Sequence, residues 1–195
     1  MASYRGVQGT LLALETFLQH SLPADWRQAP MNARVRMLGS ADLTAALSGN
    51  LLGLYLHRIS VDPYGRNRFL PPPDARTGTP SAELPVNLHV LVVANGASAG
   101  IEADLMSWAM LTLAGQPNLD PSQLMDGNPE WGNGEQVAIT PEEMPSVDLL
   151  RIWDLFDADY TLTTPYVLRS VRLRLNAEET EGPAVGSRIF PTGVL

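Results

Sequence analysis

Residues 84–94 read Leu84-Pro-Val-Asn-Leu-His-Val-Leu-Val-Val-Ala94, and their periodicity decides the fold class. Leu84, Val86, Leu88, Val90 and Val92 recur at every second position, the repeat of a β-strand. The other face opens polar at Asn87 and His89, then turns apolar at Leu91 and Val93. Period two predicts a strand here.

Upstream, Leu51 to Val61 is rich in Leu, Tyr, Ile and Val and lacks helix caps, so it reads as a second strand with two semi-apolar faces. Ala33-Arg-Val-Arg-Met37 alternates as a short strand would. Earlier still, Val7, Leu11, Leu14 and Leu18 share one helical face beside Ala13 and Phe17, and Pro23 closes that helix. Between the two long strands, residues 62–83 hold Pro63, Gly65, Pro71 to Pro73, Gly78 and Pro80. Such a stretch predicts a long exposed loop.

Downstream, Ser98 to Ala114 reads as a helix. Ser98 is its N-cap, Glu102 and Asp104 lie near its positive end, and Gly115 and Pro117 stop it. Residues 115–134 are turn-rich. Glu135 to Ile139 predicts a strand. Ser146 is expected to cap a short helix whose buried side is Leu149, Leu150, Trp153 and Phe156. The final strand, Pro165 to Leu175, is expected to place Val167, Val171, Leu173 and Leu175 on one side and Tyr166, Leu168, Ser170, Arg172 and Arg174 on the other. The order predicts an α/β (α+β) fold with a single mixed sheet and about three helices packed on it. It forms one domain over residues 1–175, followed by an acidic C-terminal tail, 176–195.

Composition narrows the function. A chain of 195 residues with 45% hydrophobic residues can bury a full core without staples. Only 17% of residues are charged, against about 25% in an average soluble protein, which suits a subunit covered by neighbours. The absence of cysteine excludes disulfides, thiolate metal sites and cysteine nucleophiles. All 13 basic residues are arginine, which removes Schiff-base chemistry and a Walker lysine. Residues 1–76 carry 8 Arg against 5 acids, whereas 77–195 carry 5 Arg against 16 acids, so the chain is polarised. A net charge of −8 argues against a nucleic-acid partner. The N-terminus lacks a signal-like pattern and no apolar run would span a bilayer, so synthesis in the cytoplasm without membrane insertion is expected.

Candidate chemistry is sparse. Gly96-Ala-Ser98-Ala-Gly100 is a G-x-S-x-G between a strand and a helix, the setting of a nucleophile elbow. All three histidines (His20, His57 and His89) precede Ser98, against the order a hydrolase of that type requires, so a capped strand-to-helix turn is the expected reading. A small serine hydrolase using this turn stays as the alternative. The same glycines do not match G-x-G-x-x-G, and Glu102 and Asp104 would repel a phosphate. Asp154, Asp157 and Asp159 match no cation loop and read as a solvated helix end. His57 and His89 lie mid-strand; as two nitrogens without a third ligand they predict a partly buried hydrogen-bonded pair rather than a metal site. Tyr64, Arg66, Asn67, Arg68 and Phe69, framed by prolines, are the residue types enriched at protein interfaces. Ile189, Phe190, Val194 and Leu195, beyond the spacer Glu178-Glu-Thr-Glu181, are expected to dock on a neighbour.

The run Leu54-Tyr-Leu-His-Arg-Ile-Ser-Val-Asp-Pro-Tyr-Gly-Arg-Asn-Arg68, then Leu84-Pro-Val-Asn-Leu-His-Val-Leu91, resembles the N-terminal domain family of the Pvc-type cap (tail-terminator) proteins of contractile injection systems. The spacing Leu149 to Trp153 and the opening Pro165-Tyr166-Val167 also fit, so the resemblance spans roughly residues 5–175. Asn87, where the family pattern has aspartate, and the Gly96 to Gly100 turn depart from it. The resemblance implies a phage tail-terminator-like fold and a structural, non-enzymatic role with no cofactor. It implies a homo-oligomer, a hexameric ring, that ends the inner tube and anchors the last sheath layer, with the inner tube protein and sheath protein as partners. Another tail-completion or adaptor subunit is the related alternative.

Overall fold

The computed structural model describes residues 4–63, 83–125, 131 and 135–174. Helix α1 (Gly6–Ser21) buries Leu11, Leu14 and Leu18 along one stripe. Strand β1 (Arg34–Leu38) follows, then a 3-10 turn (Ser40–Leu43) and strand β2 (Leu51–Val61). Strand β3 (Glu83–Asn95) leads into helix α2 (Ala99–Gly115), strand β4 (Asn118–Leu119) and a short helix α3 (Pro121–Met125). Strand β5 (Val137–Pro141), helix α4 (Ser146–Trp153) and strand β6 (Leu162–Arg174) complete the described chain.

These strands form one sheet in the order β1-β2-β3-β6-β5-β4. β1 runs parallel to β2 and the remaining neighbours are antiparallel, so the sheet is mixed as expected. One face carries Leu52, Leu54, Val86, Leu88, Val90 and Val92, sealed by Leu14 and Leu18 of α1 and Leu105 and Ala109 of α2. Each fully buried leucine there contributes about 1.5–3 kcal/mol through apolar burial. The second face holds a smaller core of Leu43, Leu51, Leu91, Val93 and Trp153, to which α4 and the 3-10 turn contribute. Two cores of unequal extent explain the hydropathy of β3: its odd-numbered residues are apolar where this second core covers them, and polar at Asn87 and His89.

Two β-bulges flank that polar stretch. In the β2–β3 ladder the register slips between Leu56 and Arg58, leaving His57 as the extra residue. In the β3–β6 ladder it slips between Val86 and Leu88, opposite Val171 and Leu168. There Ser170 adopts φ 66°, the left-handed region, and its N–H donates to Asn87 Oδ1 at 3.3 Å. A bulge adds a residue to one strand and turns the following side chains to the other face.

The bulge corrects the side assignment predicted for β6. Tyr166 and Leu168 share the larger core with Val171 and Leu173, because one residue is added between them. β6 also begins at Leu162, three residues before Pro165, since Leu162 to Thr164 pair with Ala94 to Val92. In α4 the cap is not Ser146: the Pro145 carbonyl accepts from Asp148 and Leu149 N–H. Leu150, expected on the buried side, is 48% exposed, and Ile152 takes its place beside Leu149, Trp153 and Phe156. A stripe at 149, 152, 153 and 156 is the i, i+3, i+4, i+7 face of a helix, and Leu150 lies off it. The turn-rich stretch 115–134 contains β4 and α3, held by Leu119 and Leu124, which are both fully buried. Pro121 takes the first position of α3, where the missing N–H costs nothing.

Candidate functional site

The polar window of β3 is the centre of a side-chain network. His89 is 7% exposed. Its Nδ1 lies 2.8 Å from both carboxylate oxygens of Glu142, the residue after β5. A carboxylate only accepts, so Nδ1 carries the proton shared with Glu142, and Nε2 lies in hydrogen-bond contact with the Ser60 hydroxyl at 2.8 Å. Arg58 Nη2 donates to Glu142 Oε1 at 3.1 Å and is held beside the ring by that shared acceptor. Four residues from β2, β3 and the end of β5 therefore meet on one carboxylate and one imidazole. The β2 bulge is what permits it: with His57 extruded, Arg58 falls opposite His89 and Ser60 opposite Asn87.

His57 itself stacks edge-on against His89, with ring centroids 6.0 Å apart. The predicted pair thus exists as a ring contact, but the hydrogen bonds of His89 go to Glu142 and Ser60. His57 Nε2 is buried without a hydrogen-bond partner among the described residues. Burial pushes its pKa below the ordinary value near 6.5; Glu142 opposes that shift, and the nearby His89 and Arg58 add to it. His57 and Arg58, with Glu143, Met144, Asp148 and Ile152, line a cleft of about 380 Å³ beside α4.

Glu142, His89 and Ser60 have the connectivity of acid, base and hydroxyl. Ser60, however, sits inside the β2–β3 ladder opposite Asn87, and not at a turn whose free amides hold an oxyanion. Arg58 further occupies the carboxylate. The arrangement ties the segment after β5 to the centre of the sheet.

Ser98, the residue of the G-x-S-x-G motif, is the N-cap of α2: its Oγ accepts from Ile101 N–H at 3.4 Å. The neighbouring amides are engaged as well, Gly96 N–H with Glu102 Oε1 and Ala97 N–H with Asn50 Oδ1. A side chain at Gly96 would come within 2.9 Å of Ile101 Cγ2, so this glycine permits close packing on α2. No histidine reaches this turn among the described hydrogen bonds. Asp154, Asp157 and Asp159 are exposed, and no metal-ligating cluster occurs among the described residues. The predicted interface residues Tyr64, Arg66, Asn67, Arg68 and Phe69, and the tail residues Ile189 and Phe190, lie outside the described residues. Glu142 and Ser60 were not legible as site residues; the one signal was a histidine in an apolar strand, which demands a buried partner.

This mixed sheet, with bulged central strands and helices on both faces, is similar in fold to two solved tube terminators. The PVC sheath/tube terminator of an extracellular contractile injection system, in its extended state, superposes with a TM-score of 0.62 at 18% identity, over 97% of this chain and 65% of that one. The anti-feeding prophage tube-terminating cap gives 0.57 at 11% identity, over 98% of this chain and 62% of its own. The chain thus spans less than two thirds of the length of either terminator. The chain belongs to the Pvc16 N-terminal domain family, whose model matches residues 10–187. A search of curated proteins finds no significant match. No helix among the described residues is long and apolar enough to cross a membrane.

Proposed function

We propose that this chain is the terminator domain of a structural cap, which ends the inner tube of a contractile injection system and anchors its last sheath layer. The observation that carries this reading is the Pvc16 N-terminal domain match across residues 10–187. The likeness of fold to two terminators supports it. The cap works as a homo-oligomeric ring, six copies being the expected number, made in the cytoplasm and incorporated into a phage-tail-like particle. It works by shape and has no catalytic step. Lateral contacts suit a chain with only 17% charged residues, and a head-to-tail ring closes when the subunit rotation is right. Residues 1–175 form the ring-building domain and 176–195 a tail that reaches a neighbour. Tyr64, Arg66, Asn67, Arg68 and Phe69 face the tube or the sheath. Electron microscopy of the chain mixed with inner tubes tests this: rings seated on one tube end are expected. A protein that stays monomeric at micromolar concentration and ignores tube and sheath overturns it.

A further inference from the structure

The cleft beside α4 has an uncompensated imidazole in its wall. His57 and Arg58 line it from β2, Met144 and Pro145 from the segment after β5, and Asp148 and Ile152 from α4. The His57 ring packs edge-on to His89, and its Nε2 is buried with no hydrogen-bond partner among the described residues. A neutral imidazole bears the loss of one hydrogen bond. An imidazolium in the same place would be a shielded charge with an unpaired donor, which costs far more.

The groups facing His57 leave it no free counter-ion. From β2 comes the Arg58 guanidinium and from β3 the His89 ring, and both oppose a further positive charge. Glu142 favours one, but its carboxylate already accepts from His89 Nδ1 at 2.8 Å and from Arg58 Nη2 at 3.1 Å. Glu143 and, on α4, Asp148 are exposed, so solvent screens them. We propose that His57 is an acid-sensitive strut: when its ring takes up a proton, the segment from Glu143 through α4 lifts away from β2, and water enters the cleft to solvate the ring.

That segment is the side of the cleft able to yield. On the other side, β2 is paired with β3 along its whole length, from Leu51 to Val61. Helix α4 has eight residues, too few to persist without packing. It packs through Leu149, Ile152 and Trp153 on the smaller core, while Val147 and Leu150 are exposed. Glu142 stays behind when the segment moves: its N–H donates to the Pro165 carbonyl of β6 at 3.0 Å, and its side chain holds His89. The hinge therefore falls between Glu142 and Pro145, and opening uncovers Leu149, Ile152 and Trp153. The inference goes beyond the cap reading and does not depend on it.

Hydrogen exchange followed by mass spectrometry on the full-length protein, at pH 7 and pH 5 with times scaled for the intrinsic pH dependence of exchange, tests this. An open form in which His57 has its ordinary pKa near 6.5 gains about tenfold on the closed form for each pH unit below that value, until the closed form is protonated too. Amides of residues 148–154 should exchange about tenfold faster at pH 5, while those of α2 keep their protection. Steps of half a pH unit give a second readout, a rise that begins below pH 6.5. His57→Gln, which cannot be protonated, should hold the protection of α4 equal at the two pH values. Unchanged protection of α4 in the native protein, a loss shared equally by α2, or a loss that persists in His57→Gln overturns the proposal.

Discussion

His89 Nδ1 on the central strand and the Glu142 carboxylate, 53 residues apart in sequence, stand 2.8 Å from each other and close a polar network with Arg58 and Ser60. The relationship joins β3 to the segment that runs from β5 into α4, across β6, and so fixes one wall of the cleft. Both residues are well shielded, with side chains 9% and 17% exposed.

Removing the acceptor leaves His89 Nδ1–H buried and unpaired. Glu142→Ala should therefore cost about 1–3 kcal/mol by chemical denaturation. Arg58→Ala should cost less, about 0–1 kcal/mol, because that side chain is 56% exposed and rehydrates. Equal losses would contradict the network drawn here.

His57 titrates below its ordinary pKa because it is buried, and the sign of the effect on stability follows. The unfolded chain binds the proton more readily than the folded one, so His57 favours the folded state fully above pH about 6.5 and less as pH falls below it. The thermal midpoint should drop between pH 7 and pH 5, and His57→Gln, which cannot be protonated, should flatten part of that drop. An unchanged pH profile in the variant would remove His57 from the account.

Ser98 acts as a cap. Ser98→Ala should cost about 0.5–1 kcal/mol, at the low end for such changes given a 3.4 Å bond, and Ser98→Asp should retain most of the stability. Hydrolysis of an activated ester that vanished in Ser98→Ala would restore the nucleophile reading.

Gly53 lies against Leu38 so closely that a Cβ would overlap its side chain. Gly53→Ala should destabilise by about 1–3 kcal/mol, and the double variant with Leu38→Val should lose less than the two single changes summed. Additivity measured by denaturation would mean the two positions do not touch.

For the proposed tube-facing loop, Arg66→Glu with Arg68→Glu should leave circular dichroism and melting unchanged while weakening tube or sheath docking roughly tenfold or more. Undiminished docking in a sedimentation assay would remove this loop from the interface.

How much of this was legible beforehand differs by element. Period-two alternation in Leu84 to Ala94 and the stripe Val7, Leu11, Leu14, Leu18 needed no partner to be read, because local geometry sets which side chains share a face. The nature of the Gly96 to Gly100 turn was legible for the same reason: a cap acts within three residues. The β6 faces were not, because one residue at φ 66°, Ser170, inverts everything after it, and the residue type does not announce the bulge. Nor was Glu142 legible as the partner of His89, since nothing local links a carboxylate after β5 to a strand two positions away in the sheet.

The amino-acid sequence by itself determined the two long strands before residue 96, the long helices, a low charge content and the family to which the chain belongs, because these depend on short-range periodicity and on motifs carried in order along the chain. The tertiary structure alone decided which polar residues meet. Two register slips on either side of β3 bring Arg58, Ser60, His89 and Glu142 together, and the pairing of distant strands is set by the packing of the whole sheet, which no local window contains.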